Sequence, residues 1–321
     1  MSTTDNIKRA EKLSRRLSKV DQALDGIVNI MATTDNTSNI FWLKIKTDIK
    51  KEYEVARKIS KTWTESNIPA VYKNELNKQL SKIKKKKIPG IRKVPASQFA
   101  NTNIAKQSVS SLIDQTTATF ISRFTAGENT LIDLSRLTQQ VLLDEKLVNK
   151  NIADGFISKG NVRESKKRLQ KALMKQSLDG KFVTIIDRNG KPTKWRIDKY
   201  AEMVARTKLQ ETSTQAVVNS AMAVGGDLVQ VSSHNTKTPF DAQFEGKIFS
   251  LTGNDKDFPR AGALPPFHPN CMHSITVTFK EGLEAAGILN KSIDFANGKT
   301  DIHPTRKSHI PVTKREFPKV A

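Results

Sequence analysis

The chain has 321 residues, 37% of them hydrophobic, with 54 basic against 32 acidic side chains and a formal charge of +22 at pH 7. Its one cysteine, Cys271, excludes an intrachain disulfide, and no run of about 18 apolar residues is present to span a membrane. A charge of that size seeks a polyanion, whether nucleic acid, an anionic membrane surface or an acidic protein. The N-terminal stretch lacks the apolar segment of a secretory signal, so the expected setting is inside a cell or inside something assembled there.

In chain order, Ile7, Leu13, Leu17, Val20, Leu24 and Val28 recur at three- and four-residue steps and predict a helix over 5–30, with Lys8, Arg9, Lys12, Arg15, Arg16 and Lys19 on its other face. A polar break follows at 31–39. A second helix is expected over 39–65, on Phe41, Trp42, Ile45, Ile49, Tyr53, Val55 and Ile59, and a third over 68–84. Pro89-Gly90 marks 81–95 as a loop or linker. It carries Lys82, Lys84, Lys85, Lys86, Lys87, Arg92 and Lys93, the densest cationic run in the chain. Such a run suits contact with a phosphate backbone and equally suits a solvated linker; without interleaved aromatics it reads no bases.

Two more helices are expected at 101–124 and 129–150, turning at Gly127, and another from Asn161 to about Gln176. Two short β-rich runs, 182–186 and 193–197, bracket Asn189-Gly190 and predict a hairpin. A helix over 200–222 should end at Gly225-Gly226, ahead of a strand beginning at Asp227. The expected class is therefore α+β: a mainly helical N-terminal part, then a small mixed α/β domain with a β-hairpin and an extended C-terminal tail. The tail, 285–321, is punctuated by Pro304, Pro311 and Pro318, with basic residues between.

The stretch 200–279 holds His234, His268 and His273, three of the five histidines, together with Cys271. His268, Cys271 and His273, with Asp241 upstream, are a candidate zinc set of imidazole, thiolate and carboxylate. The alternative is a rigid loop of Pro265, Pro266 and Pro269 whose histidines make hydrogen bonds around a buried cysteine. Cys271 and His273 could be a nucleophile and base, since residues two apart on a strand would share a face. No orienting third group, oxyanion turn, phosphate loop or carboxylate pair accompanies them, so no enzyme is expected. Arg206, inside the 200–222 helix, would need a partner if buried, and Glu211 and Asn219 are candidates.

The series YAEMVART from Tyr200, DLVQVSSHN from Asp227, EGKIFSLTG from Glu245 and HPNCMH from His268 resembles the phage minor capsid protein 2 group. That group lies within the wider head-morphogenesis family typified by the head proteins of phages Mu and SPP1. The resemblance covers about 150–280 well. It implies Arg206, Thr207, Ser233, His234, Gly246, Lys247, His268, Pro269, Asn270, Cys271 and His273 as family positions that hold the domain together. Relatives in the wider family often carry cysteines where this chain has Thr238, Asp241 and His273, which weakens the zinc reading. The resemblance further implies a minor head protein of a tailed phage, in the head interior or at the portal vertex, and in host cytoplasm during assembly. Its expected partners are the portal protein, double-stranded viral DNA and, in addition, other copies, scaffold or major capsid protein. The division it suggests is a basic helical partner-binding region at 1–95, a helical connector at 96–150, a head-morphogenesis domain at 151–284 and the tail at 285–321. A free nonspecific DNA-binding protein, and a hydrolase or toxin-like activity on Cys271 and His273, are the alternatives.

Overall fold

The structure, a computed structural model, describes residues 3–86, 91, 94–153, 182–186, 191–234, 236, 238–301 and 303–304. Its elements in order are α1 Thr3–Thr33, α2 Asn39–Lys86, α3 Ala96–Ala100, α4 Asn103–Ala153, β1 Phe182–Ile186, β2 Pro192–Arg196, α5 Ile197–Ala223, β3 Leu228–Val231, α6 Pro239–Ala242, β4 Ile248–Ser250, β5 Ile275–Thr278, α7 Lys280–Ala285 and α8 Leu289–Ala296. The expected mainly helical N-terminal part and later small sheet are both present. None of the described helices is long and apolar enough to cross a membrane.

Two compact units are built from separated stretches. One comprises residues 9–65 and 114–205, the other 1–8, 66–113 and 206–321.

In the unit of 9–65 and 114–205, the stripe read on α1 is buried as expected, with Leu13, Leu17, Val20, Leu24 and Val28 no more than 3% exposed. Trp42, Ile49 and Tyr53 of α2, and Phe120, Phe124 and Leu131 of α4, complete a core of large side chains. Two indoles meet main-chain acceptors: Trp63 Nε1 donates to Arg9 O (3.1 Å) and Trp42 Nε1 to Asn36 O (2.7 Å). The Arg57 guanidinium pairs with Glu128 at 2.6 Å. At the start of α5 the Asp198 amide donates to Asp21 of α1 (3.1 Å), so a buried carboxyl group from a distant helix supplies the acceptor that a helix N-terminus needs. Arg196 also reaches Asp21, at 3.5 Å. Strands β1 and β2 pair antiparallel from Phe182↔Arg196 to Ile186↔Pro192. The Asn189-Gly190 turn proposed for them lies outside the described residues, as does the helix read at 161–176.

In the other unit the sheet order is β4-β3-β5, all antiparallel, with one isolated parallel bridge between Ser250 and Arg260. Val229, Val231, Phe249, Ile275 and Val277 pack with Tyr72, Leu76, Leu80 and Ile83 of α2, Phe99 of α3, and Ala216, Val217 and Ala221 of α5. The opposite face, through Leu228 and Ile248, packs with Leu283 of α7 and Ala296 of α8. Covered on both sides, β3 shows no apolar–polar alternation. Gly225, at φ 75°, ends α5 where the glycine pair was read.

Three expected breaks are absent. The helices read at 39–65 and 68–84 are one, running through Pro69. Interior proline costs a helix about 3 kcal/mol, but Trp63, Ile68, Val71, Tyr72 and Leu76, on both sides of it, are buried, and that packing outweighs the lost hydrogen bond. The helices read at 101–124 and 129–150 are also one, and Gly127 lies inside it. The extended tail does not begin at 285, because Leu289–Ala296 is helical and buries Ser292, Phe295 and Ala296.

Candidate functional site

The family residues of 206–279 all fall in the unit that contains the three-stranded sheet. The tetrapeptide from His268 to Cys271 is a β-turn closed by Cys271 N donating to His268 O at 3.1 Å. Pro269 sits at its second position and Asn270, at φ 64°, at its third. That is a type II turn: proline presets the first bend, and asparagine is among the few side chains that tolerate the left-handed region. The turn carries His268 and Cys271 into two separate hydrogen-bonded sets, one at each of its ends.

At one end His268 Nε2 meets Asp241 Oδ2 at 2.6 Å, and His268 Nδ1 lies 2.8 Å from Pro269 O. Asp241, on α6, is 1% exposed, and its other oxygen has no hydrogen-bond partner among the described residues. At the other end Cys271 Sγ lies 3.5 Å from His273 Nδ1, and His273 Nε2 lies 3.1 Å from Glu245 Oε1. The same Glu245 oxygen accepts the amides of His234 (2.7 Å) and Thr236 (3.1 Å). Burial works against a charge on Glu245, but those two amides and the His273 ring outweigh it and hold its carboxyl below the usual range. Ser232 ties the strands, accepting Ser274 N at 2.9 Å and meeting His234 Nε2 at 2.8 Å. Gln210 of α5 donates to His273 O at 2.6 Å and fastens the helix to the loop.

Cys271, His273 and Glu245 therefore form a thiol–imidazole–carboxylate line, and Glu245 is the third group the sequence did not reveal. The line does not make a nucleophile. Cys271 is 6% exposed, and burial pushes its thiol up despite nearby main-chain donors. A thiol held protonated at neutral pH is a poor attacking group. The network acts as a tie between α5, the β3–β4 connection and the 265–274 loop.

The four residues read as zinc ligands separate into two pairs, His268 with Asp241 and Cys271 with His273. Among the described residues no group of three or more His, Cys, Asp or Glu side chains is placed to hold a metal ion. The other family positions are spread around this network. Arg206 and Thr207 are half-buried on α5, one turn before Gln210, and Ser233 is half-buried beside the exposed His234. Gly246 is at φ 72°, and a β-carbon there would collide with the His303 ring. Lys247 stands 6.0 Å over the Phe295 ring, with burial lowering its ammonium against the pull of Asp301. The partners suggested for Arg206 bond elsewhere: Glu211 to Lys208 (2.7 Å), and Asn219 to Tyr72 Oη (2.6 Å) and Ser108 Oγ (2.9 Å).

Of the cationic run, Lys82, Lys84, Lys85 and Lys86 occupy the last turns of α2 and are exposed, so this part is helix and not loop. Lysines there also favour the helix itself, since cations suit a C-terminal dipole end. Lys87, Arg92 and Lys93 lie outside the described residues.

The family profile described as phage minor capsid protein 2 matches residues 12–297. The chain belongs to that family. The match takes in most of both units and every described family position above. No curated protein and no solved structure matches the chain. This minor capsid protein thus has a role in the phage head, and the resemblance read from its motifs holds over far more of the chain than the 150–280 region that carried it.

Proposed function

We propose that this minor capsid protein is held at the portal, inside or on the procapsid, and acts in head assembly, DNA packaging or DNA delivery through nonspecific contact with the DNA backbone. The observation that carries the DNA contact is the exposed Lys82, Lys84, Lys85 and Lys86 cluster ending α2, within a third of the chain holding 22 basic and 10 acidic residues. Phosphate contact needs only such cations and carries no sequence information. The polar network at Cys271 supports an architectural role for the sheet-containing unit.

The test is duplex binding measured against salt. Each lysine that neutralises a phosphate contributes close to one unit of slope in log affinity against log salt. Replacing Lys84, Lys85 and Lys86 by Gln should flatten that slope by about 3 and weaken binding to unrelated duplexes equally. An unchanged slope would remove the α2 terminus from the DNA contact.

A further inference from the structure

We propose that the outer edge of β5, with the cavity beside it, takes up an extended acidic peptide from another molecule as a fourth strand of the sheet.

The cavity measures about 270 Å³ and is lined by Asn6 of α1, Glu75, Lys78 and Lys82 of α2, Thr214 of α5, and Ser274–Thr276 at the start of β5. The ladder fixes which way that strand's main chain faces. Ser232 N donates to Ser274 O (2.8 Å), and Gln230 is opposite Thr276, so residues 274 and 276 bond to β3. In an antiparallel pair the intervening residue turns both its polar groups the other way. Ile275 thus directs its N–H and C=O away from β3, on the side where, among the described residues, the sheet has no further strand. Among the described residues neither group meets a hydrogen-bond partner, although Ile275 is only 3% exposed. Buried main-chain groups are nearly always paired, so these two are waiting for a partner.

Side chains around the same space repeat the pattern. Among the described residues, Asn6 Oδ1 and Thr214 Oγ1 are buried with no hydrogen-bond partner, on residues 5% and 8% exposed. An unpaired donor–acceptor pair on a strand edge, with further unpaired polar atoms across a narrow space, is what an incoming main chain satisfies in strand addition. A wholly apolar ligand would leave every one of them unmet.

Charge selects the occupant. Glu75 is engaged internally, accepting from Gln79 (2.7 Å) and facing Lys78 (3.4 Å). Lys82 is then the exposed charge at this wall, with Lys84, Lys85 and Lys86 on the next turn. This chain's own terminal stretch, 305–321, has five basic residues against one acidic and is mismatched to that wall. An acidic segment of a different chain is matched.

The experiment uses the full-length protein and three fluorescent octapeptides: alternating valine and glutamate, alternating valine and lysine, and the glutamate peptide with every second amide N-methylated. Expected are saturable binding of the glutamate peptide, at least tenfold weaker binding of the other two, and at least tenfold slower amide exchange at Ile275 in the complex. Lys82→Glu, an exposed change that leaves the core alone, should invert the preference between glutamate and lysine peptides. Equal binding of the N-methylated peptide, unchanged exchange at Ile275, or no saturable binding would each overturn the proposal. Tighter binding of a peptide spanning 305–321 would replace the acidic partner with the chain's own tail. The DNA reading is tested by the salt slope of the Lys84, Lys85 and Lys86 variant, which keeps Lys82, and strand addition by amide exchange at Ile275 in the parent protein, so the two readings fail separately.

Discussion

A β-carbon on Gly127 would stand 2.6 Å from the Tyr53 hydroxyl. Tyr53 is 1% exposed, so it has no room to swing aside. Gly127→Ala should therefore lower stability, since overpacking costs about 1–3 kcal/mol and the helix propensity gained returns only about 1. Gly26, inside α1 with nothing within 4 Å of its would-be β-carbon, is the matched control. Gly26→Ala should raise stability by about 0.5–1 kcal/mol; urea midpoints that rise for both variants would contradict the Tyr53 argument. Asp21 gives a pH signature. Burial first, and then the Asp198 carboxyl, push its pKa up to about 7 from 3.8, against the Asp198 amide and Arg196. The fold then holds a proton that the unfolded chain releases, so this group's stabilisation is complete below pH 3.8 and is lost as pH rises to about 7. Asp21→Asn should remove that decline, seen as a smaller loss of urea midpoint between pH 4.5 and 7.5 than in the parent. At this scale the sequence was readable where chemistry is local. Pro269 and Asn270 announce their turn because each has a backbone preference of its own. Glu245 and Gln210 were missed because their partner, His273, is 28 and 63 residues away, and no spacing rule spans such a gap.

The helical stripes of α1 and α5 were legible because burial on one face imposes a 3.6-residue period that no other element shares. Breaks were less so. Pro69 and Gly127 are both helix-disfavouring residues placed inside long helices, where tertiary packing overrides local preference. The same override makes Lys82–Lys86 helical, since Leu80 and Ile83, 6% and 7% exposed, carry α2 into the sheet-side core. Helix α8 was hidden by its neighbourhood: Ile288, Leu289 and Ile293 pack beneath β3 and β4, yet they precede a proline-punctuated basic stretch that reads as extended. Asn219 shows how α5 is held to its neighbours, donating to Tyr72 of α2 and Ser108 of α4. Asn219→Leu should cost about 1–3 kcal/mol, because it takes away the buried amide donor that the Tyr72 and Ser108 hydroxyls share. Combining it with Tyr72→Phe should cost less than the sum of the two single changes, and strict additivity would contradict the assigned contact.

Taken whole, the chain combines two compact units, each drawn from separated stretches, with a charge of +22. The charge was legible from composition alone and bears on partners without bearing on fold. The family was legible from four short motifs in 200–279, because a β-turn, a positive-φ glycine and a set of buried polar ties constrain residue identity more tightly than a helix surface does. The N-terminal helices lie within the matched residues 12–297 but did not announce the family, since many sequences satisfy an amphipathic stripe. The most direct test of the head role is to purify procapsids from cells expressing a tagged copy and image the portal vertex by cryo-electron microscopy. The account predicts that the chain co-purifies with procapsids and gives density on the portal. Its absence from both procapsids and mature particles, together with strong salt-sensitive DNA binding in solution, would contradict it.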